Sequence, residues 1–328
     1  MPELACPFQC IYCNQATISG QSGFPDSADI VALIERNLQS LPTGKKHVDI
    51  AFFGGNFTGL PLKHQADYLD LVLPYLFDGR VQGIRLSTRP DFINDEVLLL
   101  LKAKHVHTIE LGAQSLDDEV LARCGRGHTL ADVALASSKI RELGFRLALQ
   151  MMIGLPGDTA EKSLQTAKTI INLGAHETRI YPCLVVRGTA LEQQYHNNEY
   201  TPLSLEEAVS LSASLLTRFE SAGVKVIRLG LHPSEGLNGD ALVAGPFHPA
   251  FKELVMTEIW RQLFISFPAW PTGPASIIIE VPAHEFNFAV GYAAANKNML
   301  RKRFPKLQFV CNSRLTGRDF VVKPDIQC

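Results

Sequence analysis

Short apolar runs alternate with helical stretches from about residue 26 to residue 231, and this alternation limits the possible folds more than any other feature of the chain. Ile30, Ile34, Leu38 and Leu41 recur at helical spacing, which predicts a helix over Asp26 to Leu41. Val48 to Phe53 reads as a buried strand stopped by Gly54-Gly55. The same rhythm predicts strands at Ile84 to Thr88, Thr108 to Ala113, Arg146 to Ile153, Arg179 to Val186 and Val224 to Leu231. Helices are expected over about 61–77, 94–104, 117–124, 129–143, 158–173 and 204–223. Thr129 and Asp132, and again Ser204 and Glu207, have capping spacing. Strands separated by helices need crossover connections, which give a parallel sheet with helices outside it. The expectation is an α/β protein, a partial (β/α) barrel of the TIM type over residues 1–245, with its chemistry at the carboxyl ends of the strands. Gly54 to Phe57, Ser87 to Pro90, Gln114-Ser115 and Gly154 to Gly157 fall there.

Ahead of the first helix stands Cys6-Pro7-Phe8-Gln9-Cys10-Ile11-Tyr12-Cys13, three of the seven cysteines within one loop. Nothing in the sequence reads as a secretory leader, so such spacing points to soft thiolate ligands rather than to a disulfide framework. A zinc site would want a fourth Cys or His close by, and the nearest histidine is His47. Three thiolates suit a 4Fe-4S cluster with one iron left open. A structural zinc site, a thioredoxin-like Cys10-x-x-Cys13 pair and chance clustering stand beside that reading. Only five residues precede Cys6, too few for a barrel strand, so the first strand is expected to be missing and its neighbour to form an open edge.

The three cysteines, with an aromatic Tyr12 before the last, resemble the cluster loop of the radical S-adenosylmethionine (SAM) superfamily. The resemblance implies a 4Fe-4S cluster on Cys6, Cys10 and Cys13, SAM chelated at the open iron, and cleavage to a 5′-deoxyadenosyl radical by one electron. It further implies an oxygen-sensitive protein and a flavodoxin- or ferredoxin-like electron donor. Gly54-Gly55 resembles the family's glycine motif, whose backbone contacts the SAM amino group. Asn56 stands where many members carry Glu, and the Gly-Gly-x-Phe-Thr form is close to the elongator catalytic-subunit-like branch. Gln114 and Arg126 have the spacing of the Gln and Arg that hold the methionine portion of SAM in oxygen-independent coproporphyrinogen oxidase. The alternative for Arg126 is a surface pair with Asp117 or Asp118. By the same resemblance Gln150, and more weakly Ser87, face the ribose, and the turn at Leu155 holds the adenine. Asp158 capping the next helix is the ordinary reading of that turn. Arg126-Gly127-His128-Thr129, Gln150 to Pro156 and Ile227 to His232 resemble the same branch.

After Gly245-Pro246 the rhythm changes to a small α+β appendage, 246–328. Trp260 to Pro274 is rich in aromatics and prolines; Ser276 to Val281, Leu307 to Cys311 and Asp319 to Val322 read as strands, and 284–304 as a helix. This stretch shows no glycine-rich acetyl-CoA loop, so the acetyltransferase half of the elongator-like proteins is not expected in it. Its basic residues Lys297, Arg301, Lys302, Arg303 and Lys306 fit phosphate contacts with RNA, or else a solvated helix face.

A formal charge of -2 argues against a broad nucleic-acid surface and leaves room for a local one. With 46% hydrophobic and 20% charged residues and no long apolar run, a cytoplasmic protein with no membrane partner is expected. His232, His248 and His284 are too scattered to suggest a metal site, and Cys183 reads as a core thiol. Three functions compete: a radical SAM enzyme modifying RNA, one acting on a small molecule such as a porphyrinogen, and a non-catalytic metal- or RNA-binding adaptor.

Overall fold

A computed structural model describes residues 6, 10–14, 26–41, 47–231, 240–272 and 276–324. The contacts divide the chain into two compact units, one of Met1–Ser204 with Arg218–Phe247, the other of Leu205–Thr217 with His248–Cys328.

The first unit is built on six parallel strands: β1 (Asp49–Phe52), β2 (Gly83–Thr88), β3 (Val106–Gln114), β4 (Arg146–Ile153), β5 (Glu177–Pro182) and β7 (Lys225–Leu229). They pair in the order β1-β2-β3-β4-β5-β7, each parallel to its neighbours. Six strands laid side by side in chain order make an open half-barrel, as the alternation predicts. Its edge strands are β1 and β7, and the five residues expected to be too short for a further strand lie outside the described residues.

Helices α1 (Ser27–Ser40), α2 (Leu62–Asp70), α3 (Leu73–Phe77), α4 (Asp95–Ala103), α5 (Asp118–Arg123), α6 (Leu130–Glu142) and α7 (Ala160–Asn172) alternate with the strands. Sequence patterning reads α2 and α3 as one helix. Pro74 separates them, because it has no N–H and its ring crowds the carbonyl four residues back. The expected capping box is present: Asp132 N–H donates to Thr129 Oγ1, and Thr129 N–H to Asp132 Oδ2.

The strand expected over Arg179 to Val186 stops at Pro182, and a second short piece, β6 (Val185–Val186), pairs antiparallel with β8 (Leu242–Ala244). Between them come α8 (Ala190–His196) and α9 (Leu205–Ser221). Thr159, rather than Asp158, caps α7, accepting from Lys162 N–H. Asp158 Oδ2 instead accepts from Gly154 N–H and Ser163 Oγ and closes the turn.

The second unit packs α10 (Phe251–Ser266), α11 (Phe286–Val290) and α12 (Ala295–Arg301) with a three-stranded sheet in the order β10 (Leu307–Cys311), β9 (Ile277–Val281), β11 (Val321–Pro324). Trp260, Phe264, Ile279, Phe304 and Leu307 are at its centre. Trp260 Nε1 donates to Glu285 Oε2 at 2.7 Å, so the one polar atom of that indole is satisfied. The helix expected over 284–304 is broken at Gly291, whose φ of 88° is left-handed. Lys302, Arg303 and Lys306 are exposed at the end of α12, with Arg301 in its last turn.

Among the described residues no helix is long and apolar enough to cross a membrane.

Candidate active site

The described part of the cysteine loop, Cys10 to Cys13, is held by its backbone. Ile11 N–H donates to the Cys124 carbonyl at 3.1 Å, and the Ile11 carbonyl accepts from Leu191 N–H at 2.8 Å. Cys13 N–H turns back to the Cys10 carbonyl at 2.9 Å. Cys10 is buried, and Cys6 and Cys13 are half-buried. All three, none in a disulfide, line one cavity of about 550 Å³ at the carboxyl ends of the strands.

Facing them across the cavity are side chains at alternate positions of the strands, since residues two apart share a face. Gln114 ends β3 at a break in register with β4 and has a left-handed φ of 62°. Its Oε1 accepts from Gln150 Nε2 at 3.0 Å, joining two of the expected site residues. The Arg126 guanidinium donates through Nη2 to the Gly112 carbonyl at 2.7 Å, and its Nη1 lies 3.4 Å from Cys10 Sγ. Burial alone would push the Arg126 pKa down, but Tyr12 and Cys10 beside it hold it above the ordinary arginine range. It makes no surface pair with Asp117 or Asp118: Asp117 caps α5 and meets Lys162, while Asp118 accepts from Leu130 N–H.

Gly54, Gly55 and Ser87 also line the cavity. Asn56 does not. It is wholly buried behind the glycine loop, where Oδ1 accepts from Thr88 Oγ1 at 2.6 Å and from Arg89 N–H at 3.2 Å, fastening that loop to the end of β2. An amide supplies the acceptor this bracket needs without burying a charge. Leu155 lies apart as well, buried with Val120, Cys124 and Cys183, and its turn lines a different depression beside Tyr200. Cys183 is 2% exposed, and burial pushes its thiol up to about 12, in keeping with a core residue. His232 lies outside the described residues, and His248 accepts from Ala250 N–H in the second unit.

Several cavity residues went unread in the sequence. Gly112 leaves room that no other residue would: a Cβ there would stand 2.8 Å from both Arg126 Nη2 and Gln114 Nε2. Glu110, 1% exposed, accepts from Arg179 Nε at 2.9 Å, and the Arg179 guanidinium lies 4.6 Å from the centre of the Phe53 ring. Burial pushes the Glu110 carboxyl up, against the pull of Arg179. Arg85 bridges Glu177 at 2.9 Å and Glu110 at 3.4 Å. The available signal was Arg85, Glu110, Arg179 and Arg228 standing in strands that are otherwise largely apolar.

Tyr12 Oη and Arg126 Nε, buried at the cavity, have no hydrogen-bond partner among the described residues. Burying such atoms without partners is costly, and a ligand carboxylate or amine is the kind of group that would satisfy them. Among the described residues no three His, Cys, Asp or Glu side chains converge as a mononuclear zinc ion would require. A 4Fe-4S cluster asks instead for one thiolate on each of three irons, and the donor set in this cavity fits it.

The model of the Radical SAM superfamily matches residues 4–170, that of the radical SAM C-terminal domain matches 175–261, and the chain belongs to this superfamily. It is thus a radical SAM enzyme, with a 4Fe-4S cluster and SAM as its cofactors.

An uncharacterised protein of Methanocaldococcus jannaschii is 30% identical over 66% of this chain and 64% of its own length. The tRNA uridine(34) acetyltransferase of Dehalococcoides mccartyi is 28% identical over 61% of this chain and 50% of its own. The chain therefore spans between half and two thirds of these relatives. The solved structure of the archaeal Methanocaldococcus infernus Elp3, lacking its N-terminal 46 residues, shares the fold at a TM-score of 0.63 and 22% identity, covering 72% of this chain and 59% of that one.

Proposed function

We propose that this radical SAM enzyme modifies RNA, and that the cavity beside the cysteine loop is where SAM and the reacting nucleoside meet. The observation that carries the reading is that the three cysteines, the Gln114–Gln150 pair and Arg126 all line one cavity. The RNA half draws support from the likeness to a tRNA uridine(34) acetyltransferase.

In this reading Cys6, Cys10 and Cys13 hold the cluster, which when bound supplies the electron for reductive cleavage of SAM. Arg126 presents its unpartnered Nε to the SAM carboxylate, a charge-assisted contact in a site that water barely reaches. Gln114, fixed by its bond to Gln150, orients the methionine portion, and Gln150 stands on the ribose side. The backbone of Gly54 and Gly55 meets the amino group, held in place from behind by Asn56. Exposed Lys302, Arg303 and Lys306 would add phosphate contacts. A flavodoxin- or ferredoxin-like protein would deliver the electron. Acetyl transfer is not part of the proposal.

The test is deoxyadenosine release from SAM by anaerobically reconstituted, reduced protein, with and without bulk small RNA. Release stimulated by RNA is expected. Release indifferent to RNA would overturn the RNA reading in favour of a small molecule such as a porphyrinogen, and an intact cluster with no release at all would favour an adaptor.

A further inference from the structure

Arg179 and Arg228 are partners in register on the neighbouring strands β5 and β7, and both line the cavity. They meet because the register shifts after Thr178: Thr178 pairs with Val226 and Arg179 with Arg228, so Ile227 is the extra residue of a bulge. Bulges of this kind re-aim side chains and recur beside active sites.

Like charges opposite one another on adjacent strands destabilise a sheet unless something compensates them. Arg179 is compensated by Glu110 at 2.9 Å. The other buried carboxylate of this face, Glu177, is taken by Arg85 at 2.9 Å and Arg146 at 3.4 Å. The Arg228 side chain makes no ion pair or hydrogen bond among the described residues. The β5–β7 side of the cavity thus carries an uncompensated guanidinium beside a second one that Glu110 and the Phe53 ring hold rigid. Two guanidinium forks on one wall, one of them held in place, suit a multi-oxygen anion, which can accept from both at once.

We propose that Arg228, with Arg179 beside it, binds a phosphate of the substrate. This rests on the reading of the substrate as RNA, and it names the group by which a nucleotide would be gripped while its base faces the cysteine loop.

The experiment is calorimetric binding of uridine 5′-monophosphate, uridine and succinate to the full chain carrying its cluster and SAM, under anaerobic conditions. The monophosphate should bind more tightly than uridine or succinate. Arg228→Gln should weaken monophosphate binding by about tenfold or more while leaving uridine unchanged, and Arg228→Lys should retain part of the difference. The wild-type protein offers the same test without substitution, since raised salt should weaken the monophosphate and spare uridine. Equal binding of monophosphate and uridine, or an Arg228→Gln protein that binds the monophosphate as wild type does, would overturn the proposal. Arg228-dependent succinate binding as tight as that of the monophosphate would replace phosphate by carboxylate. The two readings fail separately. Arg228-dependent monophosphate binding with RNA-indifferent deoxyadenosine release removes the RNA function and keeps the anion site, and the converse removes the site alone.

Discussion

Arg126 reaches two parts of the chain at once: its Nη2 holds the Gly112 carbonyl near the end of β3, and its Nη1 lies 3.4 Å from Cys10 Sγ. One guanidinium therefore sets the distance between the cysteine loop and the strand that carries Gln114. Arg126→Lys keeps the charge but cannot span both contacts. We expect SAM affinity to fall by about 10- to 100-fold, the cost of losing one hydrogen bond made by a charged group, as read by equilibrium dialysis against labelled SAM. Unchanged affinity would mean that Arg126 is a structural strut.

Gly112 is the complementary test. In Gly112→Ala the new methyl stands 2.8 Å from Arg126 Nη2 and Gln114 Nε2, so both side chains must swing away. SAM binding should weaken at least tenfold, with a stability loss of about 1 to 3 kcal/mol typical of overpacking. Calorimetric titration and denaturant unfolding separate the two effects.

Behind the glycine loop, Thr88 Oγ1 donates to Asn56 Oδ1 and accepts from Thr58 N–H at 3.2 Å, all buried. Thr88→Val keeps the shape and leaves the Thr58 amide without its partner. A loss of about 1 to 3 kcal/mol is expected in denaturant unfolding. Thr88→Ser, which restores the hydroxyl, should recover most of it.

His128 supplies a pH dependence. Burial first, then the nearby charges of Arg126 and Arg89, push its imidazole down to about 4. Below the usual histidine range the unfolded chain takes up a proton that the folded one refuses, so stability is lost as pH falls toward the folded value. The contribution amounts to about 2 kcal/mol between about pH 7 and about pH 5. Thermal melts of His128→Gln should show a flatter slope across that window than wild type, and equal slopes would show that the imidazole protonates in place.

The half-barrel was legible because two periodicities alternate in the sequence and each has one structural meaning: period two for strands, period 3.6 for helices. What escaped depended on contacts rather than on period. Helix α10 is buried by Phe251, Val255, Met256, Ile259, Trp260 and Phe264, so its apolar surface runs nearly all the way round and offers no polar stripe to reveal it. The cysteine loop announced itself through ligand chemistry. The roles of Gly112, Glu110 and Arg228 did not, because each is defined by a side chain distant in sequence. Asn56 and Leu155 show the opposite limit: a motif can identify a neighbourhood while the cavity wall falls to other residues, Gly54 and Gly55 ahead of the one and Met152 ahead of the other.

The two backbone bonds at Ile11 order events in the life of the chain. One partner, Cys124, and the other, Leu191, are made long after the cysteines leave the ribosome. During synthesis the thiols are therefore present well before either partner of Ile11 has been made. A chain truncated before Leu191 should therefore carry the three thiols yet lack one of the two anchors at Ile11.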